Sequence, residues 1–155
     1  MKKVNDMNKH RILVVDDDES IRSTMLAILE AEGYTVDIAS TGKEAVQKSK
    51  QNKYNVALLD IRLPDMEGVE LLELLNDGVP KIRKIMVTGY PSIQNSVAAV
   101  NKRADAYLIK PVDPDNLLAI IKEQINLQEE EQKFSENKVA EFIETRMQEI
   151  SINHV

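Results

Sequence analysis

Five times along this chain, a short run rich in β-branched residues gives way to a longer stretch whose apolar residues recur at helical spacing. The runs are "ILVV" (12–15), "TVDIA" (35–39), "NVALLDI" (55–61), "KIMVT" (84–88) and "AYLIK" (106–110). After the first, Asp18 reads as an N-cap, Ile21, Met25, Ile28 and Leu29 share a helical face, and Gly33 stops the pattern. Thr41 with Glu44 three residues on reads as a capping box for a helix to about Lys53. "VELLELL" (69–75) is helical between the Pro64/Gly68 loop and Gly78-Val79-Pro80. A fourth helix pattern, 92–104, carries Ile93, Val97 and Val100 on one face; Asp113-Pro114 opens a fifth, to about Gln128. Parallel neighbours require crossover connections, so this alternation predicts an α/β fold: a parallel sheet with helices on both faces. The five units fill residues 10–126 and predict one domain.

Residues 127–155 stand apart from that pattern. They hold seven Glu against three Lys plus Arg, and are too short for a second globular domain. Val139, Phe142, Ile143, Met147 and Ile150 fall roughly on one helical face, so an acidic, helical tail is expected. Leu118, Ile121, Ile125, Gln128, Gln132, Ser135, Val139 and Phe142 keep heptad register but are polar midway, which weakens the case for a continuous two-stranded coil. A partner helix at about 137–150, or a linker to further chain, fits equally well.

Composition removes several function classes. The 155 residues include no cysteine, which excludes disulfides and thiolate metal sites. No apolar run exceeds five residues, against roughly 18 for a membrane span, and the N-terminal MKKVNDMNKH lacks the apolar core of a signal peptide. A cytoplasmic protein is the expectation, with no membrane partner. The net charge of −6 opposes direct nucleic-acid binding, which needs a basic surface to displace counterions.

In open parallel sheets, ligands sit beyond the carboxyl ends of the strands. Past the first strand come Asp16, Asp17 and Asp18; at the end of the third, Asp60; of the fourth, Thr88 and Gly89; of the fifth, Lys110 and Pro111. Asp18 is accounted for by its cap. The remaining carboxylates, brought to one edge, are costly together unless a cation offsets them. Oxygen donors without His or Cys suit a hard cation such as Mg²⁺, which keeps waters and takes few carboxylates plus a phosphate. A carboxylate nucleophile, a lysine and a hydroxyl beside it make an apparatus for phosphoryl transfer. Neither GxxxxGK[ST] nor GxGxxG is present. His10 and His154 lie near the chain ends, without ligand partners in sequence.

"ILVVDDDESIR", "VALLDIRLPDMEG", "IMVTGYPS" and "DAYLIKPVDPDNLL" resemble the receiver domain of two-component response regulators, over residues 10–126, with motif positions on four strands in family order. The resemblance implies a flavodoxin-like (βα)5 doubly wound sheet, order 2-1-3-4-5, with the first and third strands flanking the switch point. It further implies that Asp60 is phosphorylated by the phosphohistidine of a sensor histidine kinase or a histidine phosphotransfer protein. Asp17, Asp60 and the backbone carbonyl of Arg62 would ligate Mg²⁺, with Asp16 acting through water. Lys110 and Thr88 would stabilise the phosphoryl group, and Thr88 with Tyr107 would switch the face of the fourth helix, fifth strand and fifth helix. That face, or the tail, is where a homodimer is expected. Arg62 and Tyr90 occupy positions at which the family varies its dephosphorylation rate. The bond before Pro111 is expected to be cis. No essential position departs from the family pattern. The chain would thus be a phosphoacceptor signalling domain rather than an enzyme with turnover, controlling a partner or output. The alternatives are a single-domain phosphorelay intermediate or an aspartyl-phosphate-type Mg²⁺-dependent phosphohydrolase. The latter class places its nucleophile after the first strand in DxDxT, whereas "DDDES" lacks the threonine.

Overall fold

Every apolar run becomes a strand: β1 (Arg11–Val15), β2 (Thr35–Ala39), β3 (Val56–Asp60), β4 (Arg83–Thr88) and β5 (Ala106–Ile109). All neighbours pair in parallel in the order β2-β1-β3-β4-β5, as the resemblance implies. The structure is a computed structural model that describes residues 10–75, 78–89 and 104–153. The expected fourth helix, 92–104, lies almost wholly outside these.

Alternation along the strands builds two cores. On one face, Leu13, Val15, Ala57, Leu59 and Met86 pack with Ala45 of α2 (Gly42–Gln51) and with Leu71 and Leu72 of α3 (Gly68–Leu74). On the other, Ile12, Val14, Leu58, Ile85 and Val87 meet Met25 and Leu29 of α1 (Glu19–Ala31) and Leu117, Ile121 and Ile125 of α4 (Pro114–Asn153). Each such large side chain contributes roughly 1.5–3 kcal/mol by leaving water. β3, at the centre, is buried along its whole length, which is why it reads as a continuous apolar run ending in one acid.

Local signals hold with one adjustment. The Asp18 side chain caps α1 by accepting from Ser20 N and Ile21 N, and Gly33 leaves the helix at φ 100°. At α2, Thr41 Oγ1 accepts from Glu44 N at 3.1 Å, but the Glu44 carboxylate returns to Ser40 N, also 3.1 Å, so the expected box is displaced by one residue on its return arm.

The larger correction concerns the last helix. Expected to stop near Gln128, α4 continues to Asn153, 40 residues in all. At 1.5 Å per residue it is about 60 Å long. The physical reason is an absence: no Gly or Pro follows Pro114, and Glu, Gln, Lys and Ala are strong helix formers. After the apolar contacts of Leu117, Ile121 and Ile125, its last contacts with the domain are polar. Gln128, 2% exposed, donates to Asn55 O (3.1 Å) and Lys81 O (2.7 Å) and accepts from Asn55 Nδ2 (2.9 Å). Arg83 donates to Gln124 Oε1 at 2.9 Å and pairs with Glu131 at 3.0 Å, while His10 meets Glu129 at 3.2 Å. From Lys133 to Ser151 every side chain is exposed. No helix among the described residues is long and apolar enough to cross a membrane. Replacing the buried Gln128 with Ala removes its three hydrogen bonds to Asn55 and Lys81, and urea unfolding should register a loss of about 1–3 kcal/mol.

Candidate functional site

The strand order sets β1 beside β3, so the acids that close both strands share one edge of the sheet. Carboxylate oxygens of Asp16, Asp17 and Asp60 all lie within 4.8 Å of one another. Asp16 is buried (2%), pinned by a hydrogen bond from Asp18 N to its Oδ1 (2.9 Å) and by Arg22 Nη1 on its carbonyl (2.7 Å). Asp17 is exposed, and Asp60 is 9% exposed. The capped start of α1 thus fixes the position of the first acid.

One ammonium answers this cluster among the described residues. Lys110 Nζ donates to Asp16 Oδ2 at 2.7 Å and stands 3.6 Å from Asp60 Oδ2. Lys110 N is bonded to Thr88 O at 2.7 Å, which prolongs the β4–β5 ladder to the site, and the Lys110–Pro111 peptide is cis, as expected. The carboxylates hold the Lys110 ammonium above its usual range despite burial. Asp60 is pushed above the usual carboxylate range, chiefly by burial and next by the charge of Asp16, against the pull of Lys110 and the amide of Arg62. Thr88 is wholly buried at the end of β4. The half-buried Tyr107 ring packs against the core of the α2–α3 face, and its buried hydroxyl has no hydrogen-bond partner among the described residues. Arg62 is exposed; its amide donates to Asp60 Oδ1 at a long 3.4 Å. Tyr90 and His154 lie outside the described residues.

Two features escaped the sequence reading. Gly68 was read as loop punctuation; it begins α3 against the strand end, where an added Cβ would lie 2.1 Å from the carbonyl oxygen of Asp60. Gly89, by contrast, would meet only ordinary contacts at 3.8 Å, so the steric need falls on the other glycine. Asp65 accepts from Gly42 N and Lys43 N, each at 2.9 Å, and those bonds hold its carboxyl below the usual range. It ties the loop after β3 to the start of α2. An Asp in a loop 23 residues beyond a helix start carries no local signal for such a bond.

Carboxylates, a lysine and a threonine gathered at the switch point of a 2-1-3-4-5 sheet are the arrangement that the sequence resemblance implies. The chain belongs to the response regulator receiver domain family, whose model matches residues 12–122. It is 35% identical over 114 residues to the transcriptional regulatory protein ZraR of Escherichia coli K12, covering 74% of this chain and 26% of ZraR. It is 36% identical over 110 residues to the acid tolerance regulatory protein ActR of Rhizobium meliloti, covering 71% and 57%. The chain therefore spans between a quarter and just over half the length of these relatives. Among solved structures it resembles a CheY-like receiver domain from Methanospirillum hungatei (52% identity, TM-score 0.75, covering 79% of this chain and 98% of that one). It also resembles the beryllofluoride-activated NtrC4 receiver domain dimer (39% identity, TM-score 0.71, covering 76% and 98%).

The crowded carboxylates give a signed expectation for stability. A raised Asp60 pKa means that the folded state holds its proton to higher pH than the unfolded chain, so stability falls as pH rises above 3.8 through the folded value. Asp60→Asn should therefore raise the Tm in EDTA at pH 7 by a few degrees, each 1 kcal/mol being about 2–4 °C at this size, and the gain should vanish below the unfolded pKa. Gly68→Ala should lower stability by about 1–3 kcal/mol in the same melts.

Proposed function

We propose that Asp60 accepts a phosphoryl group from the phosphohistidine of a sensor histidine kinase or histidine phosphotransfer protein. The observation that carries this reading is the convergence of Asp16, Asp17 and Asp60 within 4.8 Å, with Lys110 3.6 Å from Asp60. An Asp60 carboxylate oxygen forms the new O–P bond while the P–N bond breaks, its electron pair remaining on the imidazole nitrogen. Three carboxylates fit a hard divalent cation, and Asp17, Asp60 and the carbonyl of Arg62 would hold Mg²⁺, with Asp16 acting through water. Bound there, Mg²⁺ neutralises charge on the transferring phosphoryl oxygens.

The chain's own groups supply the rest. Lys110, already ordered by Asp16 and Asp60, is within reach of a phosphoryl group on Asp60 and offsets its charge. Thr88, one strand away from Asp60, offers its hydroxyl to the same group, and its inward rotation allows Tyr107 to repack. Differential contacts of this kind need to shift only a few kcal/mol between two states. In a longer regulator such a switch would control an output segment, as the names of the transcriptional relatives suggest. Phosphorylation ends near one equivalent per chain, without turnover of other substrates.

Incubation with Mg²⁺ and acetyl phosphate should add one phosphoryl group, seen by intact mass, and Asp60→Asn should add none. A full equivalent on the variant would overturn the assignment. Arg62→Ala, at an exposed position beside Asp60, should change the phosphoryl lifetime measurably, with phosphate release as the readout; unchanged decay would remove Arg62 from that role.

A further inference from the structure

The distal half of α4 continues the domain's own core face. Leu117, Gln128, Val139 and Ile150 are separated by 11 residues each. Ile121, Gln132 and Ile143 follow the same interval. A repeat of 3.67 residues per turn stays close to that of a straight helix, so the stripe that packs on the sheet at Leu117 and Ile121 runs on without drifting to another side. Beyond Gln128 it leaves the domain. Val139, Phe142, Ile143, Met147 and Ile150, half to two-thirds exposed, offer on the order of 600 Å² of apolar surface per chain, about 1,200 Å² in a pair, the low end for specific interfaces.

The same helix also carries a receptor for this surface. Where α4 leaves the domain, it forms one side of a groove of about 600 Å³, lined on the helix by Gln132, Ser135 and the first stripe residues Val139 and Ile143, and opposite by Val79 and Pro80, with Val79 78% exposed. The apolar tip at Met147 and Ile150 is complementary to this groove but cannot reach it within one chain. A continuous helix holds Ile150 about 27 Å from Gln132. They can meet between two chains.

We infer that two copies of this chain associate through antiparallel pairing of their α4 extensions, the Met147–Ile150 end of one lying in the groove beside Val79 and Pro80 of the other. With Glu141 at the twofold axis, Val139 lies level with Ile143, Ser135 with Met147 and Gln132 with Ile150. The polar middle of the stripe then faces apolar side chains of the second copy. Of the two acids that line the groove, Glu131 is paired with Arg83, and Glu136 falls level with Arg146. Parallel pairing would set Glu136 against itself and leave both grooves empty. The pairing is isologous and closes at two copies. It requires nothing of Asp60, so its failure and the failure of the phosphoacceptor reading are separate results.

Because the chain has no cysteine, two introduced thiols report the arrangement without background. The full chain should sediment as a concentration-dependent dimer in analytical ultracentrifugation. Ile143→Glu should raise the dissociation constant at least about tenfold, a change of 1.4 kcal/mol or more, while leaving the circular dichroism melt of the domain in place. Mixing Ser135→Cys with Met147→Cys under mild oxidation should give the mixed disulfide dimer in excess over either same-site dimer. A chain monomeric at about 100 μM would overturn the proposal, as would preferential same-site cross-linking.

Discussion

The ion pair between Lys110 and Asp16 is the contact on which the site depends. Three carboxylates gathered at the ends of two adjacent strands repel one another, and water cannot fully screen two that are buried. Lys110 reaches across from the fifth strand to bond Asp16 at 2.7 Å and approach Asp60 at 3.6 Å. Only a sheet that places β1, β3, β4 and β5 side by side can bring that ammonium to those acids. The order 2-1-3-4-5 is therefore an electrostatic condition as much as a topological one. Burial first, and the charge of Asp16 next, keep the Asp60 pKa raised despite Lys110, and a charge-removing substitution relieves both.

Much of this was legible in the chain. Parallel pairing follows from the alternation of β-branched runs and helical spacings, and the carboxyl-end rule selects Asp16, Asp17, Asp60, Thr88 and Lys110 without knowledge of their contacts. What escaped is of two kinds. Gly68 resembles any loop glycine until the carbonyl of Asp60 is seen where its Cβ would stand, and Asp65 bonds the start of a helix 23 residues earlier in the chain. Both depend on how non-neighbouring segments approach, which periodicity does not encode. Which of the two adjacent aspartates is buried is likewise decided by the turn into α1, through Asp18 N and Arg22.

The last helix shows the opposite case, a signal present but given too little weight. The helix is expected from the sequence to run to about Gln128, yet no Gly or Pro interrupts it beyond that point, and Gln128 itself is a buried anchor. Gln124, Gln128 and Glu131 bind Arg83, Asn55 and Lys81 at the amino-terminal edge of the sheet. These contacts fix the direction in which α4 leaves the domain, at the edge opposite the carboxylates. Asp60 and the exposed helix thus occupy two ends of one body, joined by β3 and β4 and the core face of α4.

The central claim is that Asp60, among three neighbouring carboxylates, is the one that carries the phosphoryl group. Borohydride reduces an aspartyl phosphate to homoserine, so treatment of the phosphorylated chain followed by peptide mass mapping reads the site directly. Homoserine at position 60 alone is the predicted result. Homoserine at 16 or 17, or a phosphoryl group that resists reduction and maps to a histidine, would contradict it.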